Sequence, residues 1–266
     1  MKIFKSKHKL QKAISTKKNI SFIPTMGGLH KGHISLIKKS KHFKGQSVVS
    51  IFVNPKQFNK KKDFLTYPRN LRKDLFILKK LKVDFVYIPD KKDIFSFITK
   101  NKIHLDNFSK RLCGSFRKGH FKGVLNVVNR FLEILKPKRI LLGKKDYQQL
   151  YLISKHILKN KIQTKVISCK TIRNKNGVAF STRNNLLNKK QFQIASDVYK
   201  YLLKIKKKPS VNLFKLKKKI YNLGVIKIDY LEVYNLKTLK KSSSLSKNSK
   251  IFIAYYLDNV RLIDNI

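Results

Sequence analysis

Two histidines three residues apart, His30 and His33, stand in the string Pro24-Thr-Met-Gly-Gly-Leu-His-Lys-Gly-His33. The string follows an apolar run and opens a stretch of helical spacing. Gly27 and Gly28 let backbone approach a ligand closely. A helix beginning after Gly32 presents N–H groups and a positive dipole end to an anion. Residues three apart on a first turn share a face. Two imidazoles so placed can hold phosphate oxygens as charge builds on them. Zinc is the weaker reading, because no third ligand is near in sequence and both cysteines, Cys113 and Cys169, are distant.

A second group lies at Gly143-Lys-Lys-Asp146, again just after an apolar run. Gly143 permits close approach, Lys145 can neutralise phosphate, and Asp146 can hold a ribose hydroxyl or orient a partner. A third is Ser181-Thr-Arg183, two hydroxyls and a guanidinium suited to clamping phosphates. Gln57 follows Asn54-Pro55 at the end of another apolar run, where open α/β sheets bind ligands. Asp74 is a candidate magnesium contact, since hard cations take oxygen ligands; the bland alternative is a helix surface.

The elements that must position these groups alternate. Strands are expected at 20–24, 47–53, 83–88, 139–143 and 164–168, and helices at 34–40, 71–81, 124–135 and 147–159. The 47–53 run is continuously apolar, as in a strand buried on both faces. Such alternation implies a parallel sheet with crossover helices. The last third differs. Residues 189–223 are helical and Lys-rich with a break at Pro209, strands follow at 227–233 and 251–256, and 240–250 is a polar loop. The expected fold is α/β: a Rossmann-like parallel sheet over 1–176, then a smaller α+β lid domain over 177–266.

Composition narrows the class. The 266 residues carry 63 Lys plus Arg against 13 Asp plus Glu, a formal charge of +50. A nucleic-acid binder is therefore a rival reading. Only 9 of the basic residues are Arg, the side chain that grips phosphates and guanine edges. Lys is spread along the whole chain, Ala occurs only 4 times, and Ile and Asn are abundant. Drift in an A+T-rich genome explains that pattern without a dedicated nucleic-acid partner. The remaining Arg then become informative, at Arg69, Arg117, Arg173 and Arg183. No apolar run approaches the roughly 20 residues of a membrane span. The opening residues lack the apolar stretch of a secretory signal, and two Cys make no disulfide framework, so a cytoplasmic setting is expected.

His30-Lys-Gly-His33 resembles the signature of nucleotidylyltransferases and class I aminoacyl-tRNA synthetases. With Ser50-Ile-Phe-Val-Asn-Pro-Lys-Gln-Phe58, Tyr67-Pro-Arg69, Gly119-His-Phe-Lys-Gly-Val124, Gly143-Lys-Lys-Asp-Tyr-Gln-Gln149, Ser181-Thr-Arg-Asn184, Asp229-Tyr-Leu-Glu232 and Leu262-Ile-Asp-Asn265, the chain resembles the pantoate–β-alanine ligases nearly end to end. The resemblance implies ATP-dependent, magnesium-assisted condensation of pantoate with β-alanine through a pantoyl adenylate, in a homodimer. It implies catalytic roles for His30, His33, Lys145 and Arg183. It implies ATP contacts from Met26, Gly27, Gly28, Leu29, His30, Lys31, Gly32, His33, Gly143, Lys144, Lys145, Asp146, Ile172, Phe180, Ser181, Thr182 and Arg183. Gln57 and Gln149 are implied to bind pantoate, with Gln57 also near β-alanine. His120 matches a family word without a defined role. Another nucleotidylyltransferase activity is the nearer rival. Three positions depart from the family pattern: Lys144 and Cys113 stand where it has Glu, and Asn176 where it has an acid. All three make the site region more positive.

Overall fold

The computed structural model describes residues 1–59 and 61–266. Six strands form a sheet in which every pairing is parallel: β1 (Lys2–Phe4), β2 (Ser21–Thr25), β3 (Ser47–Ile51), β4 (Phe85–Tyr87), β5 (Arg139–Gly143) and β6 (Lys165–Cys169). Their order is β1-β4-β3-β2-β5-β6, so the chain reverses its direction of travel between β2 and β5. The crossovers carry α1 (Lys7–Ile14), α2 (Lys31–Ser40), α3 (Lys61–Leu65), α4 (Leu71–Lys80), α5 (Lys91–Phe95), α6 (Cys113–Phe116), α7 (His120–Leu135) and α8 (Tyr147–Lys159). β3 is buried at every position, as its unbroken apolar run requires.

The reversal point is opened by one residue. β2 pairs with β3 along all five positions, but with β5 only at Ser21↔Arg139 and Phe22↔Ile140. Pro24 has no N–H to extend the ladder toward β5. Beyond Phe22 the two strands are unpaired, and a crevice forms between their carboxyl ends, the usual ligand position in open α/β sheets.

The C-terminal part comprises α9 (Lys189–Lys206), α10 (Leu213–Asn222) and an antiparallel sheet of β7 (Lys227–Asn235), β8 (Ser249–Leu257) and β9 (Val260–Asn265). Its own apolar cluster begins at Val178 and includes Val198, Leu202, Ile220, Val233 and Ile253. The largest cluster of the chain packs around α7 and crosses between the sheets, taking in Tyr234 and Phe252 beside Leu132 and Ile153. No helix among the described residues is long and apolar enough to cross a membrane.

Several elements differ from expectation. α2 begins at Lys31, not after Gly32, because the His30 side chain caps it. α7 begins at His120, four residues before the expected start, behind Gly119 in the left-handed region (φ 76°). β1, α1, α3, α5, α6 and β9 were not anticipated. β1 is a three-residue edge strand with little burial, and β9 interleaves its apolar residues with Arg261 and Asp264.

Candidate active site

The turn after β2 is held from behind. Gly27 and Gly28 both have positive φ (80° and 61°), and the Asp74 carboxylate of α4 accepts from the Gly28 and Leu29 N–H groups, each at 2.8 Å. Asp74 is 2% exposed. That burial departs from the helix-surface reading: each carboxylate oxygen accepts one backbone N–H, which leaves a lone pair on each. Leu29 points into the apolar cluster of Ile23, Ile37 and Val49 and contributes its N–H to the turn rather than a side chain to the crevice. On the other side Thr182 donates its hydroxyl to the Gly28 carbonyl at 3.1 Å. A Cβ on Gly28 would meet the Thr182 methyl at 2.4 Å, so glycine is required both by φ and by this contact.

The turn leads into the two histidines. The Gly32 N–H donates to His30 Nδ1 at 3.1 Å, and the His30 N–H donates to His33 Nδ1 at 3.4 Å. Both Nδ1 atoms act as acceptors, so the proton of each neutral ring sits on Nε2. Burial, then the Lys145 ammonium, push His30 down to about 4. Removal from water, His30 and Lys145 hold His33 well below its usual value. The rings pack with centroids 4.0 Å apart. At neutral pH they are two uncharged Nε2–H donors, adjacent to one another without mutual repulsion.

These rings wall a cleft of about 640 Å³, counting its open mouth. Pro24, Gly32 and Leu36 line it from the β2–α2 side, and Gly143, Lys145, Asp146 and Gln149 from the turn after β5 and the start of α8. Thr171, Ile172 and Phe180 close the third side, with the Phe180 ring stacked on His30 at 6.5 Å. Lys31 is exposed and reaches back over Phe180, its ammonium 5.6 Å from the ring. A Cβ on Gly143 would have no neighbour within 4 Å, so this backbone faces open space.

Gln57 and Arg183 sit beside this cleft, outside its lining. Gln57 is 8% exposed and donates to Met26 Sδ at 2.7 Å, while Asn54 donates to its Oε1 at 3.3 Å. Its carbonyl accepts from His120 Nδ1 at 2.8 Å and from Arg117 Nη2 at 3.2 Å. Burial and Arg117 push His120 down to about 3, so it stays neutral and serves as a donor to the Gln57 loop. Ser181 accepts from the Arg183 N–H at 3.3 Å. Arg183 itself pairs with Asp63 of α3 at 3.0 Å and lies 5.8 Å from the centre of the Tyr67 ring.

A family model for pantoate-beta-alanine ligase matches residues 2–266. The chain belongs to the pantoate-beta-alanine ligase family. It is 39% identical over 265 residues to the pantothenate synthetase of Francisella tularensis subsp. novicida, covering 98% of this chain and 94% of that protein. The pantothenate synthetase of Thermosipho melanesiensis is 38% identical over 255 residues. The crystal structure of a Francisella tularensis pantoate-beta-alanine ligase, complexed with beta-gamma ATP and beta-alanine, superimposes with a TM-score of 0.87 at 38% identity. That alignment covers 100% of this chain and 97% of that one. Pantothenate synthetase from Thermus thermophilus superimposes with a TM-score of 0.91 at 28% identity, covering 100% and 99%.

The departures from the family pattern are accommodated separately. Lys144 is exposed at the turn after β5. Cys113 is buried with its Sγ 3.1 Å from the Tyr230 hydroxyl and 3.9 Å from Arg261, whose charge is met by Asp229 at 2.7 Å. Asn176 lies in the turn before Val178, its N–H donating to Asn174 Oδ1 at 3.1 Å. Sequence reasoning left Asp63, Tyr67 and Arg117 without roles beside the clamp and the Gln57 loop. The Tyr67-Pro-Arg69 word and the scarcity of Arg, which singled out Arg117, were the signals for two of them.

Proposed function

We propose that this ligase condenses pantoate with β-alanine at the expense of ATP in the cleft between β2 and β5. The observation that carries the reading is the convergence of His30, His33 and Lys145 on one crevice, with Gln149 on its wall and Gln57 beside it. A pantoate carboxylate oxygen attacks the α-phosphorus of ATP, the bond to the bridging oxygen breaks, and pyrophosphate leaves. β-Alanine loses one ammonium proton to solvent, and its free amine then attacks the acyl carbon; the bond from that carbon to the phosphate oxygen breaks, AMP leaves, and the second nitrogen proton passes to solvent. The two Nε2–H donors and the Lys145 ammonium oppose the charge that grows on the phosphates in the first step. Gln57 and Gln149 hold pantoate, their amides matching its hydroxyls and carboxylate. Arg183, with the Ser181 hydroxyl, meets the β- and γ-phosphates after exchanging Asp63 for them. Asp146 and the backbone at Gly143 and Lys144 receive the nucleoside. Among the described residues no three His, Cys, Asp or Glu side chains converge. Magnesium needs no such cluster, since one carboxylate plus substrate phosphates suffices; it would enter with the triphosphate, and Asp74 is the carboxylate proposed to meet it.

The segment from Val178 onward, with its own apolar cluster, supports treating 177–266 as a lid domain on 1–176. Homodimerisation and a cytoplasmic setting are part of the same proposal, and size-exclusion chromatography with light scattering tests the first.

The deciding experiment measures AMP and pyrophosphate with each acid omitted in turn. The proposal requires AMP release to depend on pantoate and amide to form only when β-alanine is added. Nucleotide transfer without amide would favour another nucleotidylyltransferase. A binder of nucleic acid would instead keep a steep salt-dependent affinity for RNA or DNA after His30→Ala and His33→Ala, with no pantoate-dependent AMP.

A further inference from the structure

Lys145 is carried on a weak element. It sits in the single 3-10 turn Lys144–Asp146, whose leading residue, Gly143, offers no side-chain cap. Such a turn has poor hydrogen-bond geometry and little stability of its own. On the cleft side nothing packs against Gly143. The restraint comes from the far end of the chain. Asn265, at the tip of β9, donates its Nδ2 to the Lys144 carbonyl at 3.0 Å and to the Lys145 carbonyl at 2.7 Å. Asn265 is 4% exposed and is paired in register with Phe252 on the central strand β8. The neighbouring residue grips the opposite wall. Asp264 takes both terminal nitrogens of Arg173, at 2.6 and 2.8 Å, and Arg173 in turn donates to the Gly177 carbonyl at 3.0 Å. The Arg173 segment runs between Ile172 and Phe180, which line the cleft.

We propose that Asn265 is a positioning residue for the ligase: its amide fixes the turn that presents Lys145 to the phosphates. It touches no substrate and acts through Lys145. The adjoining Asp264–Arg173 pair anchors the Ile172–Phe180 wall to the same strand, so two consecutive residues of β9 set two of the three sides of the nucleotide cleft. The proposal rests on the catalytic reading of Lys145. Misplacing a charge by about 1 Å is enough to cost on the order of a hundredfold in rate.

The test is a double-mutant cycle read by pantoate-dependent exchange of labelled pyrophosphate into ATP, which reports adenylation alone. Lys145→Ala is measured first; if it leaves exchange unchanged, the catalytic reading of Lys145 fails independently of Asn265. Given a loss there, Asn265→Ala is expected to lower the exchange rate constant at least about tenfold, with the pantoate KM within about twofold. In the Lys145→Ala background the same change is expected to cost nothing further, because its effect runs through the missing ammonium. Independent, multiplicative losses, or no loss in Asn265→Ala, would overturn the proposal. Asn265→Asp, equal in size but without the donor, gives the same reading should the alanine variant not fold.

Discussion

Gly123 is the sharpest steric test of how the pantoate side of the site is held. It lies on the first turns of α7, where the helix presses against the loop that bears Gln57. A Cβ built there would stand 2.1 Å from the Lys56 carbonyl oxygen, 2.6 Å from its carbon and 2.9 Å from the Gln57 nitrogen. All three are backbone atoms, so no rotamer change relieves the overlap. Helix and loop must separate by about 1 Å, and that movement strains the bond from Asn54 Nδ2 to the Gly123 carbonyl (3.1 Å) and the bond from His120 to Gln57. Gly123→Ala is expected to cost about 1–3 kcal/mol of stability. The displaced Gln57 amide is expected to lower kcat/KM for pantoate on the order of a hundredfold. The nucleotide cleft does not include this contact, so the ATP KM is expected to stay within about threefold. Steady-state AMP release with pantoate and ATP varied in turn, at a temperature where circular dichroism shows the variant folded, makes the measurement. A folded Gly123→Ala protein with unchanged pantoate kcat/KM would refute the claim that α7 sets the position of Gln57.

Gly143→Ala reverses that pattern: its Cβ meets nothing within 4 Å, so the melting temperature should hold while the ATP KM rises through a clash with bound nucleotide. The buried histidines predict acid lability. His156 and His120 are held at about 4 and about 3 against 6.5, so the unfolded chain binds their protons first as pH falls. Stability is complete above about pH 6.5 and falls by about 1.4 kcal/mol per pH unit for each such group toward their folded values. Urea midpoints measured from pH 7 to 4.5 check this, and a flat profile would contradict it. A charge of +50 repels itself, so the melting temperature should rise from low to moderate salt; an unchanged value would count against that reading.

The parts legible in the sequence were those written locally. The strand at 139–143 and the helix at 147–159 match the structure residue for residue, because Pro137 and Gly143 punctuate a short apolar run and the helix follows with clear periodicity. The His30–His33 turn and Lys145 stood out in the sequence as two separate groups suited to phosphate, and the order of the β-strands explains why they line one cleft. The start of α2 was misread because an imidazole is an uncommon cap. His120 fell outside the expected helix because Phe121, Lys122 and Gly123 lack the helical apolar spacing. The long-range pairs had no local trace: Asp264 lies 91 residues from Arg173, and Asn265 lies 120 from Lys145. Scarcity of Arg was the available signal. Arg173 uses its fork on Asp264 and Arg117 on Gln57 and His120, while Arg183 reaches Asp63 and Arg69 the Phe64 carbonyl through one terminal nitrogen each. Arg173 and Arg117 each use two terminal nitrogens, a planar contact that a point charge on a flexible stem does not reproduce.

The same drift sets the problem that the histidine turn solves. In a chain this basic, two more cations beside Lys145 would repel it and one another before any nucleotide arrived. Withdrawal from water and the backbone N–H bonds to both Nδ1 atoms keep His30 and His33 uncharged while leaving each Nε2–H as a donor. The cleft therefore offers the ammoniums of Lys145 and Lys170 and two fixed neutral dipoles. Fixed dipoles need no reorganisation as phosphate charge grows, and they add nothing to the self-repulsion of the empty protein. The general positive field draws the triphosphate in with little discrimination; placement falls to the turns held by Asp74 and Asn265, whose hydrogen bonds are short-ranged and indifferent to how many lysines the surface carries. That division of labour lets a net charge of +50 coexist with a crevice whose geometry is set by local hydrogen bonds.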